Sequence, residues 1–327
     1  MLRALVPHDG RPVAIDADSA AAALPEDAVW IDLAQPTEAV EALVERTLDI
    51  DIPTREELQE SEDTSRLYHE KDALFMTISV IVRFASDKPE ISPVTFILAG
   101  DRLVTLRYDE PRSFTTFLAH AERHPSACAT GSAALAGLLE AIVDRIADIL
   151  EYVGRDIDNV STAIFDRDPK NSGRLSGLDF QELLRRVGQN QGRTAKVRDS
   201  LVSLSRLLSF LALPREESHH KGLQPHVESL TRDVSSLTQH GGSIASIINF
   251  QLDALLGMIN VEQNGIIKIF SVAAVALMPP TLIASIYGMN FKAMPELDWS
   301  FGYPVALTLM IVSAILPYLY FKRRGWL

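Results

Sequence analysis

Ten residues of this 327-residue chain share one side of a helix when placed at about 100° per residue: Ser246, Asn249, Asp253, Gly257, Asn260, Asn264, Ser271, Met278, Thr281 and Ser285. Nearly all are small or polar. Ile247, Ile248, Leu252, Leu255, Leu256, Ile259, Ile266, Ile269 and Phe270 take the other faces. Amide and hydroxyl oxygens in a row can hold hydrated cations loosely, which suits Mg²⁺, an ion that gives up its water reluctantly. Close packing against a second helix explains small residues equally well over the apolar part of the stripe. The polar face, however, continues upstream through Asn264, Asn260 and Asp253. Several copies arranged around one axis would turn it into a wet pore, with rings of Asp and Asn giving way to Ser, Thr and Met. A ring of Met278 side chains would then be a hydrophobic constriction that gates by dewetting.

The stripe runs into apolar sequence. After Lys268 the only charged residues are Lys292, Glu296 and Asp298 in one short stretch and Lys322, Arg323 and Arg324 near the end. Ile269 to Phe291 and Trp299 to Phe321 are each about twenty residues long, enough to cross a hydrocarbon core of about 30 Å. The expected scheme is a first span over 267–290, an external loop over 292–298, a second span over 299–321 and a basic tail over 322–327. Basic residues flank both spans on one side, which predicts cytoplasmic N- and C-termini. The opening residues, MLRALVPHDGRP, lack the apolar core of a secretory signal. Pro279 and Pro280 are tolerable inside a span and carry no functional weight alone.

Upstream, residues 1–130 read as an α/β cytoplasmic domain. Runs of β character cover Ala28 to Leu33, Ala73 to Phe84, Pro93 to Ala99 and Arg102 to Tyr108. The last two form an expected hairpin across Gly100 and Asp101. Helical patterns cover Thr37 to Leu48 and Thr54 onward, where Glu57 completes a capping box. Residues 131–224 read as a helical hairpin, one helix from Ser132 to about Phe165 and a second from about Ser176 to Leu211, with the turn-rich stretch Asp168 to Gly177 between them. A third helix, over 225–291, is expected to continue into the first span. Cys128, the only cysteine, reads as a small buried apolar residue. The formal net charge of −12 argues against nucleic acid as a partner and for attraction of cations.

Tyr287-Gly288-Met289-Asn290-Phe291 closes the first span, and Met294-Pro295-Glu296-Leu297 follows in the loop. This resembles the CorA family of Mg²⁺ transporters, whose signature is GMN at that place followed by MPEL. The ending Tyr320 to Leu327 is similar too. The resemblance implies a funnel-shaped homopentamer in the plasma (inner) membrane, in contact with the lipid bilayer and carrying Mg²⁺, and also Co²⁺ and Ni²⁺, into the cell. It implies a selectivity filter at Gly288, Met289 and Asn290. It matches Asn264, Met278 and Thr281 to pore-lining positions and Asp253 to a residue associated with metal binding along the funnel, and the stripe adds Asn260, Ser271 and Ser285 to the expected pore lining with them. Mg²⁺ would be both cargo and regulator, with no organic cofactor, sensed at acidic sites for which Asp253 and Asp233 are the candidates. The residue after GMN-Phe is usually acidic in the family. Here it is Lys292, which leaves Glu296 and Asp298 to attract cations at the outer mouth.

An enzyme is not expected. His219, His220, His226 and His240 do not form a metal-ligand pattern, and no nucleophile, phosphate loop or dinucleotide fingerprint is present. Two alternatives remain: a ZntB-like Zn²⁺ transporter of the same superfamily, and a membrane-tethered sensor or scaffold.

Overall fold

The computed structural model describes residues 2–8, 11–16, 24–60, 66–84, 89–165, 177–213, 222–290, 294–295 and 299–326. Two compact units emerge, residues 1–251 and 252–327. In chain order the elements are β1 (Leu2–His8), β2 (Arg11–Asp16), β3 (Trp30–Ala34), α1 (Glu38–Leu48), α2 (Arg55–Glu60), β4 (Leu67–Glu70), β5 (Ala73–Val82), β6 (Glu90–Ala99), β7 (Arg102–Arg107), α3 (Arg112–Ala121), α4 (Gly131–Phe165), α5 (Gly177–Leu211), α6 (Gln224–Tyr287) and α7 (Gly302–Arg323). The α/β part, the long helices and the two C-terminal apolar helices agree with the fold class read from the sequence.

One seven-stranded sheet, in the order β2-β1-β3-β7-β6-β5-β4, forms the centre of the first unit. Only the β3–β7 pair is parallel. Alternation along the strands sends side chains to two buried faces. Ile31 and Leu33 of β3, with Phe75, Ile97, Val104 and Leu106, form a core with Val40 and Val44 of α1 and Leu58 of α2. Trp30 belongs to the opposite face, its ring centroid 5.5 Å from that of Phe117 on α3. Burial on both faces explains why β5, β6 and β7 read as unbroken apolar runs.

The polar residues on the Trp30 face are bonded to one another. Trp30 Nε1 donates to Thr105 Oγ1 at 3.0 Å, and Thr105 Oγ1 donates to Asp32 Oδ1 at 2.8 Å. Arg107 completes the chain with Nη2 on Asp32 Oδ2 at 2.8 Å and Nε on Oδ1 at 3.0 Å. Both members of this ion pair are 5% exposed, so losing either would leave a buried charge without a partner.

Local chemistry sets the element ends. Gly100 takes φ +56° in the β6–β7 turn. Thr54 and Glu57 bond reciprocally at the start of α2, Thr54 N donating to Glu57 Oε2 at 2.8 Å and Glu57 N to Thr54 Oγ1 at 3.3 Å. At the start of α4, a Cβ on Gly131 would stand 2.7 Å from the backbone of Arg102 and Leu103, so a bare backbone is required where this helix meets β7.

The inward stripe of α4 (Leu135, Leu138, Leu139, Ile142, Ile146, Ile149, Val153) is fully buried. Asp156, further along α4, accepts hydrogen bonds from Arg186 and from Asn190 Nδ2 of α5. Gln251 Nε2 of α6 donates to Ile157 O and Ser161 Oγ, both at 2.7 Å. Cys128 is buried, as expected, and its apolar setting pushes the thiol up to about 11.

The second unit inverts this pattern. Among its described residues only Leu255, Val272 and Ala306 are buried. Phe270 is 72% and Tyr303 79% exposed, and just 6% of the most apolar window of either α6 or α7 is covered.

Candidate ion pathway

Every stripe position from Asp253 to Ser285 lies on α6, and Asp253, Asn260, Asn264, Ser271, Met278, Thr281 and Ser285 are all exposed. Gly257, Asn264, Ser271, Met278 and Ser285 recur at every seventh position. At 1.5 Å per residue, successive members stand about 10.5 Å apart along the axis. A strict seven-residue repeat drifts by only about 20° per heptad on a straight helix, and a slight left-handed supercoil cancels the drift.

Backbone and side-chain bonding prepares this face for polar contacts. Thr281 Oγ1 donates to Leu277 O at 2.7 Å, which settles its proton and leaves its lone pairs outward. Pro279 and Pro280 have no N–H, so the carbonyls of Val275 and Ala276 lose their usual partners one turn back. A free carbonyl in an apolar setting needs water, an ion or a neighbouring donor.

The helix ends where the motif begins. Gly288 N donates to Ala284 O at 2.9 Å and Met289 N to Ile286 O at 3.3 Å. These close the last turn, so the carbonyls beyond Ile286 lie at the negative end of the helix dipole without a following turn to accept from. Gly288, Met289 and Asn290 are exposed there. A Cβ on Gly288 would sit 3.1 Å from Ala284 O, a tight fit that favours glycine. Lys292, Glu296 and Asp298, the expected outer mouth, lie outside the described residues, as do His219, His220 and the stretch 168–176.

In the first unit Asp233 is exposed on α6. Sequence reasoning passed over the carboxylates it meets. Burial, then repulsion from Glu140, Asp148 and Asp233, holds the carboxyl of Asp144 above the ordinary range. Glu140, Asp144 and Asp148 follow one another at i, i+4 on α4, a legible signal of one acidic ridge. Among the described residues, no group of three or more His, Cys, Asp or Glu is placed to hold a metal ion within one chain.

An α/β unit followed by a very long helix, and a pair of uncovered apolar helices of which the first carries a polar seam, define the architecture of a membrane protein. The chain belongs to the family described as CorA-like Mg²⁺ transporter protein, whose model matches residues 25–323. It is 35% identical over 330 residues to the magnesium transport protein CorA of Haemophilus ducreyi, covering 100% of both chains. Its fold is similar to the complete CorA magnesium transporter of Methanocaldococcus jannaschii, with a TM-score of 0.73 at 17% identity over 100% of this chain and 98% of that one. The ZntB cytoplasmic domain of Vibrio parahaemolyticus matches at a TM-score of 0.58 and 9% identity, over 79% of this chain and 97% of that one. The family and the CorA relatives are named as transport proteins, which leaves the enzyme reading without support and agrees with the sequence.

Proposed function

We propose that this chain is one subunit of a channel that admits Mg²⁺ across the plasma (inner) membrane. The observation that carries the reading is the exposed seven-residue repeat on α6 leading to Gly288-Met289-Asn290. A single chain has no use for such a face in lipid, whereas copies around an axis make it the wall of a pore. Five copies, as the family resemblance implies, would bring Asp253, Asn260 and Asn264 into rings below the bilayer and Ser271, Met278, Thr281 and Ser285 into rings within it. Helix C-termini and the Asn290 amide would meet the ion with its water retained, which suits Mg²⁺ chemistry. Co²⁺ and Ni²⁺ are expected as further cargo.

The domain scheme follows the same reading: residues 1–130 and 131–224 in the cytoplasm, 225–291 as stalk and first span, 292–298 outside with Glu296 and Asp298 at the mouth, 299–321 as second span and 322–327 back in the cytoplasm. Cytoplasmic Mg²⁺ would close the channel by neutralising repelling carboxylates. Asp233, facing the Glu140–Asp144–Asp148 ridge, is the better candidate for that role, and Asp253 the second.

The test is Mg²⁺ uptake into proteoliposomes loaded with a Mg²⁺-sensitive dye. Wild-type uptake should vanish in Asn290→Ala with assembly unchanged; equal uptake by both would remove the filter from this motif. The fold likeness to a ZntB domain gives the Zn²⁺ reading one specific support. Cobalt hexaammine separates the two, because it mimics hydrated Mg²⁺ and should block a Mg²⁺ filter while sparing a Zn²⁺ path.

A further inference from the structure

The four cations nearest the apolar helices are unexplained by transport. Lys268 on α6 and Lys322, Arg323 and Arg324 at the end of α7 are all exposed, and no carboxylate occurs among the described residues 263–290 and 299–326. They are nevertheless organised. Gly325 takes φ +69° and folds the tail back on α7, with Trp326 N donating to Phe321 O at 3.1 Å and Gly325 N to Lys322 O at 3.2 Å. This is the Schellman arrangement, and the Trp326 ring completes it by packing 5.1 Å from that of Phe321. The same indole receives Lys268, whose Nζ is 5.8 Å from the ring centroid, while Arg324 stands 5.5 Å over Tyr320. Trp326 stays 42% and Tyr320 55% exposed beside uncovered apolar helix surface.

We propose that the folded tail is a clamp for the headgroup of an anionic phospholipid. Lys268, Lys322, Arg323 and Arg324 surround its phosphodiester, and Trp326 and Tyr320 lie at the level of its glycerol, where amphipathic rings settle at a membrane interface. Gly325 holds the parts together, because an L side chain there would strain the left-handed turn that brings Trp326 to Lys268. The proposal needs residues 252–327 to be in a bilayer and does not depend on which ion, if any, is carried.

The experiment uses the full chain in phosphatidylcholine vesicles containing an equal mole fraction of either dibrominated phosphatidylglycerol or dibrominated phosphatidylcholine. Quenching is assigned to Trp326 by difference from Trp326→Phe. Brominated phosphatidylglycerol should quench it several-fold more strongly. The excess should disappear in Lys268→Gln/Arg323→Gln/Arg324→Gln, fall in Gly325→Val at unchanged charge, and persist in Arg323→Lys/Arg324→Lys, which controls for folding. Soluble glycerol phosphate should leave it intact. Equal quenching by the two lipids, an excess that survives removal of the three charges, or displacement by glycerol phosphate would each overturn the proposal.

Discussion

The two units handle apolar surface in opposite ways. Residues 1–251 bury it on both faces of a sheet and along one stripe of α4, and the polar groups drawn inside, such as Asp32, Arg107 and Thr105, are bonded to one another. Residues 252–327 leave Phe270, Leu277 and Tyr303 uncovered and turn a polar seam outward as well. Water is the right surrounding for the first pattern and the wrong one for the second. An uncovered apolar surface of that extent calls for lipid, and the seam within it is the feature on which the proposed pore rests.

Cutting the chain sharpens this contrast most. A chain ending at Gln251 is expected to remain in solution without detergent, while the full chain sediments. Ultracentrifugation decides it, and a full chain that stays soluble would contradict the membrane reading. The next largest effect concerns single side chains. Leu135→Ala should cost about 2–5 kcal/mol in the unfolding of the first unit, because it opens a cavity where relaxation is limited. Phe270→Ala should leave that transition within about 0.5 kcal/mol. Phe270→Asp should instead weaken membrane insertion, by less than the about 2.5–3.5 kcal/mol that Asp costs at a span's centre, because Phe270 lies near the start of the first span. Equal effects of Leu135→Ala and Phe270→Ala on the denaturant midpoint would dissolve the distinction.

The polar seam offers a variant that changes function rather than stability. Met278, 70% exposed on its own chain, is expected to close the pore as an apolar ring. Met278→Gly should raise Mg²⁺ leak into dye-loaded vesicles without moving the thermal transition of the first unit. An unchanged leak would place the constriction elsewhere.

Sequence reading reached most of the second unit because lipid imposes long uncharged segments, and no soluble contact can disguise them. It reached α1, β5, β6, β7 and α4 because their patterns are long or are closed by clear turn chemistry, such as Gly100 and the Thr54–Glu57 pair. It passed over β1 and β2, where Pro7, His8 and Arg11 break the alternation, and β4, whose four residues are at least partly exposed. Helix α3 was also passed over, since Arg112 to Ala121 is only ten residues long and is held by packing of Phe114 and Phe117 against Trp30. Of the candidate site, the stripe from Ser246 to Ser285 was legible from spacing, and Gly288 to Asn290 only from the resemblance to the CorA motif. The carboxylates that face Asp233 were not, because they approach it only when α4 and α6 pack together. Asp156 with Arg186 and Asn190 escaped notice for the same reason, being contacts between separate helices.

That cluster gives the smallest expected effect and the finest test of the contrast. Burial works against the charged form of Asp156, but hydrogen bonds from Arg186 and Asn190 and the nearby Arg193 outweigh it and hold the carboxyl below its ordinary value of 3.8. A carboxylate whose folded pKa is depressed contributes stability that is fully present above the unfolded value and lost as pH falls through the folded one. Asp156→Asn should therefore lower the Tm of the first unit modestly at neutral pH, since the pair is partly solvated. The difference should shrink as pH falls below about 3.8, where the unfolded carboxyl takes up a proton, and close once pH passes below the lower folded value. Residues 263–290 and 299–326 contain no carboxylate, so the membrane helices should show no matching change in helicity over the same acid range. Circular dichroism of the full chain in vesicles, compared with Tm values of the 1–251 fragment, measures both sides. A difference between wild type and Asp156→Asn that stays constant down to strongly acidic pH would mean that packing of this side chain, rather than its charge, joins α4 to α5.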